Sequence, residues 1–597
     1  MLRYGALLSV LFVCCATAAA ADNSAVFKDG NWRLGYGPGP TGEQPIVILK
    51  VETKDGKSEA TPVAFMKDSP FKFVSFSLKG DTATVDVKVG TRALSFTGKL
   101  QADGKSFRGT FGDDKLTNRG YFTATEGDKL DNTFFSSQPK PPETFLAATR
   151  LMNSAASIKF KARQTKDIDE KAELMKKAAE AQEKADAESP DAWRAVITAE
   201  KNSPYAVVAA LQLIQAAGRI KADPKEVAGW ISLVETEAGT FGSKITETTD
   251  LSIADTLGDE KNYSELAMTT LDKVVGKLTD KDPLPKQSRV LKVAMKVQQT
   301  AGKKELLKAT TARYEAVETT LDKEYLANTP PFKVTKAADR PAGQNRAVLM
   351  ELFTGAQCPP CVAADVAFDA LSKTYDHKDV ILLQYHMHIP GPDPMTNADT
   401  VARFSYYGEL FPKNVRGTPT SLFNGKIDAS SGGLMEHSEE KFKDYRKAVD
   451  TRLDAKTDIA LGGKVSRSGE TLKIDVTVDG VKEPKDLKLR VVVTEDTIHY
   501  VGGNALRYHH HVVRHFVGGV AGTEIKEPKT AKSMSLDLAQ IKGDLTKYQE
   551  KYTKTEKVTF ANAAPGMDTS KLKVVVFVQD DSTGEVLNAV QLEVPAK

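Results

Sequence analysis

The chain has 597 residues, too many for a single hydrophobic core, so several domains are expected. Hydrophobic residues make up 41% and charged residues 27%, with a formal net charge of +3. No basic stripe with interleaved aromatics runs through it, which gives no reason to expect nucleic acid or another polyanion as a partner.

The opening "MLRYGALLSVLFVCCATAAAAD" has a positive Arg3, an apolar run from Ala6 to Ala16 and small residues at Ala18–Ala21. The apolar run is too short to span a bilayer, and the pattern predicts a signal peptide over 1–21. Cys14 and Cys15 would leave with it. Val13 before Cys14 is wrong for a lipoprotein site. No later stretch is long and apolar enough for a transmembrane segment. The mature chain is therefore expected to be exported, to the periplasm, cell envelope or exterior.

Residues 22–138 read as an antiparallel β-domain. "IVILKV", "FKFVSFSLKG", "TATVDVKV", "ALSFTGKL", "SFRGTF" and "GYFTAT" are short β-rich runs, with turn signals at Asp55-Gly56 and Asp103-Gly104. Residues 139–328 turn helical and rich in Ala, Lys and Glu. Helix starts are expected at Ser189-Pro190, at Ser203-Pro204, and at Asp223-Pro224 with Glu226 completing a capping box. The array is weakly similar to tetratricopeptide repeats, without a strict period. A Pro- and Gly-rich linker follows at 329–345. A cysteine-containing domain occupies 346–455. From 456 to 597, runs such as "TLKIDVTVD" and "LKLRVVVTED" alternate at period two and predict an immunoglobulin-like β-sandwich.

Apart from the two in the leader, the chain's only cysteines are Cys358 and Cys361. A disulfide across two residues closes almost no loop and adds little stability, so the pair is better explained by chemistry than by stapling. "AVLMELFTG" reads as a buried strand, and "CVAADVAFDALSKTY" as an amphipathic helix. Cys358 would sit at the helix start, where thiolate is favoured and can attack a disulfide, with Cys361 resolving the product. Pro359 and Pro360 have no N–H, which leaves the helix dipole and the Cys361 N–H to stabilise that thiolate. A moderately oxidising disulfide follows.

Strand, C-x-x-C and helix, with "GTPTSLFNGK" later in the chain, resemble the thioredoxin fold. "ELFTGAQCPPC", "YHMHIPGPDPM" and "GTPTSLFNGK" are similar to a group of secreted bacterial thioredoxin-like proteins, over about Arg346 to Lys426. The tail with "GGNALRYHHHVVRHFVGG" looks like that of outer-membrane-associated thioredoxin-like proteins. The resemblance implies a cis-proline at Pro419, with Thr418 beside the substrate, and a proton-relaying buried acid at Glu351. Gln357 stands where thioredoxin has Trp.

His386, His388, His509 and His511 are weak metal candidates, with copper the ion to consider. Alternation would place His386 and His388 on one strand face, and His509 and His511 on another. A polar strand face or a domain contact is the commoner origin of such clusters.

The fold expected is a multidomain α+β chain: a thioredoxin-like α/β domain flanked by an antiparallel β-domain, a helical repeat-like domain and a C-terminal β-sandwich. The function expected is thiol–disulfide exchange with protein thiols or disulfides, as a reductase or isomerase rather than a dedicated oxidase. It would need no cofactor beyond the redox-active pair, and a separate redox donor. The rivals are a non-catalytic cell-envelope scaffold and a copper-handling protein.

Overall fold

A computed structural model describes residues 27–66, 68–113, 117–130, 141–165, 168–341, 343–427 and 432–596. The expected signal peptide lies outside them. Among the described residues no helix is long and apolar enough to cross a membrane. The chain forms two compact units, divided between Thr319 and Thr320.

The first unit opens with eight antiparallel strands: β1 (Gly30–Gly37), β2 (Gln44–Lys54), β3 (Lys57–Phe65), β4 (Phe71–Lys79), β5 (Thr82–Val89), β6 (Arg92–Leu100), β7 (Ser106–Gly112) and β8 (Thr117–Ala124). Their order is β3-β2-β1-β8-β7-β6-β5-β4, a curved, barrel-like sheet around Trp32, Phe96, Phe107 and Phe122. The β2–β3 hairpin turns at Asp55-Gly56, both at positive φ, as its sequence predicts. Gly98, Gly109 and Gly120 pair across β6, β7 and β8. A Cβ on Gly109 would lie 1.9 Å from the Thr97 carbonyl oxygen, and one on Gly98 or Gly120 would lie 2.5 Å from the Phe96 ring. The row lets that ring lie against bare backbone.

Helices follow: α1 (Glu143–Gln164), α2 (Ile168–Ala199), α3 (Pro204–Ile220), α4 (Pro224–Gly239), α5 (Ser243–Leu257), α6 (Ser264–Val275), α7 (Leu284–Thr300) and α8 (Lys304–Asn328), the last of which ends in the second unit. Ser203 and Asp223 cap α3 and α4 as expected. Two expectations are corrected. No helix starts at Pro190, because α2 continues through it. One lost backbone hydrogen bond is tolerated there, where Ala185, Trp193 and Val196 are buried. Glu226 completes no capping box, because both its oxygens are taken by Arg194, at 2.6 and 3.0 Å.

The second unit contains β9 (Val348–Thr354), α9 (Val362–Thr374), β10 (Val380–His386), α10 (Ala398–Leu410), β11 (Thr420–Phe423), α11 (Ser438–Leu453), β12 (Ala460–Ser468), β13 (Thr471–Asp479), β14 (Leu487–His499), β15 (Tyr508–Phe516), β16 (Thr523–Glu524), β17 (Thr530–Asp537), α12 (Leu538–Glu556), β18 (Leu572–Asp580) and β19 (Val586–Glu593). β9 and β10 are parallel and β11 is antiparallel to β9, a thioredoxin-like α/β arrangement. Val348, Met350 and Leu352 face α9 and α11, while Leu349 and Phe353 face Tyr407 of α10. The expected linker runs along this layer: Phe332 stacks on Phe442 at 5.3 Å, and Ala337 N–H donates to the Thr374 carbonyl.

The C-terminal region is two sheets around a shared core. β12-β13-β17 faces a larger sheet across Ile474, Val476, Val491 and Val574. That larger sheet is continuous with the cysteine region, in the order β11-β9-β10-β15-β14-β18-β19 with β16 beside β14. The seam is the parallel pairing of β10 with β15, Gln384 opposite Val512.

Candidate active site

Strand β9 is buried throughout, and the chain leaves it through Gly355-Ala356-Gln357 to reach Cys358. Cys358 and Cys361 are joined by a disulfide. Pro359–Cys361 form one 3-10 turn, and α9 begins only at Val362. This shifts the helix start away from Cys358, and the first amides are already used. Cys361 N–H donates to the Cys358 carbonyl, Val362 N–H to the Pro359 carbonyl, and Ala363 N–H to the Gly433 carbonyl. The Cys361 N–H expected to serve the Cys358 sulfur is therefore engaged elsewhere.

Thr418 and Pro419, joined by a cis peptide bond, lie beside Cys358. The Thr418 hydroxyl donates to Cys358 Sγ at 3.5 Å, and the Thr418 carbonyl oxygen lies 3.9 Å from it. Cys358 is 2% exposed. The loop at Gly502-Gly503-Asn504 packs on the residues just before it. Asn504 donates from its backbone N to the Ala356 carbonyl and from Nδ2 to the Gly355 carbonyl. A Cβ on Gly503 would lie 2.1 Å from Gln357 Oε1, so the "GGN" stretch allows this close approach.

Glu351 lies in a different network from the one expected of it. It points with Leu349 and Phe353, away from α9. Arg403 of α10 donates from Nε to Oε1 at 2.9 Å and from Nη2 to Oε2 at 3.0 Å. The Tyr385 hydroxyl donates to Oε1 at 2.8 Å, and the Tyr407 hydroxyl to Oε2. Glu351 and Arg403 are both fully buried.

The acid on the helix side is Asp365. Cys361 already has helical backbone, at φ −77° and ψ −20°, so Asp365 four residues on shares its face of α9. Asp365 is buried, and burial raises its pKa well above the ordinary carboxylate value, against hydrogen bonds that act the other way. Its Oδ2 accepts from the Thr354 hydroxyl at 2.7 Å, and its Oδ1 from Gln384 Nε2 at 2.8 Å. A polar chain continues through His386 to Asp393, which accepts the Ala356 N–H at 2.6 Å. Asp365, Gln384 and Asp393 have no motif of their own, although "VAADVAF" sets Asp365, and "VILLQY" sets Gln384, in an otherwise apolar run.

The histidines separate. β10 ends at His386, so His388 lies beyond the strand and stacks on Tyr552 of α12, 3.5 Å between centroids. His386 instead faces His509, ring centroids 4.9 Å apart. His511 has φ +54°, which breaks the alternation expected to align it with His509. It faces Asp496, while His509 Nε2 is bonded to the Tyr500 carbonyl. Burial pushes His388 and His511 down to about 4, and burial with the charge of His386 takes His509 to about 3. Among the described residues no three His, Cys, Asp or Glu side chains converge as a metal site.

No family model matches the chain, and no curated protein does. Solved structures do. HBP35 of Porphyromonas gingivalis aligns at 15% identity over 44% of this chain and 77% of its own, with a TM-score of 0.31. Protein AGR_C_4864 from Agrobacterium tumefaciens aligns at 16% identity over 42% of this chain and 96% of its own, with a TM-score of 0.26.

Proposed function

We propose that this chain is an exported thiol–disulfide oxidoreductase that acts on protein partners, as a reductase or isomerase rather than a dedicated oxidase. The observation that carries the reading is the bonded pair Cys358–Cys361 ahead of α9, with the Thr418 hydroxyl on Cys358 Sγ and a buried acid one turn beyond Cys361.

In this reading the Cys358 thiolate attacks a partner disulfide, joins one partner sulfur and expels the other as thiolate. Cys361 S–H then gives its proton to a base and attacks Cys358 Sγ. The partner's remaining sulfur leaves as thiolate and takes a proton from water. The partner disulfide has gained two electrons and the cysteine pair has lost them. Thr418 and Pro419 flank the sulfur where a partner strand would lie. The base is assigned to Asp365 rather than Glu351, because Glu351 faces away from α9 and is held by Arg403.

The low exposure of Cys358 favours one rival, a binding protein that uses the fold as a scaffold. Turnover of a model protein disulfide decides between them. Cys358→Ser should abolish it, and Cys361→Ala should accumulate mixed disulfides. Equal behaviour of wild type and Cys358→Ser would leave the scaffold.

A further inference from the structure

The proton acceptor of this reading, Asp365, sits at one end of a hydrogen-bonded chain whose donors and acceptors can be counted. Gln384 gives its Nε2 to Asp365 Oδ1 and turns its single amide oxygen to His386 Nε2, 3.1 Å away. His386 Nδ1 lies 2.8 Å from Asp393 Oδ2. Asp393 also accepts the N–H groups of Ala356 and Met395. Each contact needs one proton. An ionised Asp365 takes the Gln384 NH₂, which commits the amide oxygen toward His386. That oxygen requires an N–H at Nε2, and Asp393 requires one at Nδ1. Both ring nitrogens of His386 then carry protons. With Asp365 protonated, the amide can turn over, accept the Asp365 O–H, and donate to a bare Nε2.

We propose that Gln384 couples the charges of Asp365 and His386, so that an imidazolium at His386 holds Asp365 in the ionised form that receives the Cys361 proton. This rests on the exchange reading above. Gln384 and His386 are positioning residues, and Asp365 is the group assigned to the Cys361 proton. When a reductant thiolate attacks Cys358 of the closed disulfide, Cys361 leaves as thiolate and takes a proton from water.

The surroundings leave His386 as the cation of the chain. His509 faces it from β15 and is held neutral by burial. His388 accepts the Asp393 N–H through Nδ1. Arg514 of β15 lies 3.4 Å from Glu495 of β14, and its charge also reaches Asp393. Near Asp365 stand Asp369, which lies 3.9 Å from His510 Nε2, and Tyr325 of α8. Burial opposes ionisation of Asp393, yet its contacts with His386 and two backbone amides keep it below the ordinary carboxylate range.

Two readouts test this. Reduced protein is mixed with dithiobisnitrobenzoate, where the first chromophore release reports attack by Cys358 and the second reports resolution by Cys361. Gln384→Leu and His386→Leu should move the pH profile of the second release upward by about one unit, roughly tenfold slower near pH 6, with the first release unchanged. His386→Asn, which still offers an N–H to Gln384 but carries no charge, should restore only part of the rate. Separately, nitrogen spectra of labelled histidine should show both His386 ring nitrogens protonated in the oxidised wild type, and loss of the Nε2 proton in Gln384→Leu. An unmoved second-release profile, an equal slowing of both releases with Asn no better than Leu, or unchanged His386 nitrogen spectra would overturn the coupling. Absence of any first release from wild type would instead overturn the exchange reading.

Discussion

Arg403 stands between two roles that the sequence does not separate, structure and chemistry. Its guanidinium meets Glu351 through two hydrogen bonds and lies 4.4 Å from the centroid of the Tyr407 ring. Removing one partner of such a buried pair strands the other charge, at a cost of about 3–5 kcal/mol. Arg403→Met should therefore lower the denaturant midpoint sharply, and Glu351→Leu in the same chain should recover much of the loss. Recovery of stability by the double variant, with exchange retained, would place Glu351 outside the chemistry. Asp365 behaves oppositely. Its folded-state pKa is raised by burial, so the unfolded chain ionises first as pH rises. The folded state then loses stability from about pH 4 upward, through the range in which only the unfolded chain is ionised, until the folded pKa is reached. Asp365→Asn should be more stable than wild type at neutral pH, and the gain should vanish below about pH 4. Urea melts at the two pH values check this, and a gain that persists in acid would contradict it.

At the scale of elements, the helix behind the cysteines begins later than its motif suggests. Pro359–Cys361 form a 3-10 turn, and α9 takes over at Val362, the amides of Cys361, Val362 and Ala363 being bonded to Cys358, Pro359 and Gly433. Little remains to stabilise a thiolate at Cys358 except the Thr418 hydroxyl. Pro360→His would add a side-chain donor and a backbone N–H, so thiolate absorbance near pH 6 should rise and the disulfide should become more oxidising. Unchanged absorbance would show that the prolines do not set the poise. The elements themselves were readable because each carries its own signal: buried runs such as "AVLMELFT", period-two runs such as "TLKIDVTVD", and Asp55-Gly56 at a turn. The closeness of Cys358, Cys361 and Thr418 was readable through motif. The partner of Glu351 was not, since Arg403 lies 52 residues away on a helix whose side of the sheet no local pattern specifies. His511 misled for a similar reason, because one residue at positive φ cancels an alternation argument.

For the second unit as a whole, the decisive feature is that β10 has a neighbour on each side, β9 and β15. Residues 456 onward reach back to complete the sheet of the cysteine region. Asn397 donates to the Val513 carbonyl, and Asp399 accepts the Phe516 N–H. A fragment ending at Leu453 would leave β10 as an open edge with unpaired N–H and C=O groups and would uncover Tyr385 and Leu383. Residues 320–453 expressed alone should therefore associate or precipitate, while 320–597 should remain monodisperse. Light scattering on the two preparations distinguishes them, and a well-behaved short fragment would mean the seam is dispensable.

The Asn504 contact also sets an order of events. The loop before Cys358 is bonded by a residue 149 positions later in the chain. Polypeptides emerge N-terminus first, at about 5–20 residues per second. For several seconds of every synthesis, then, both thiols exist while the residue that fastens their loop does not. The nascent pair meets whatever oxidant its surroundings hold before its own fold closes over it.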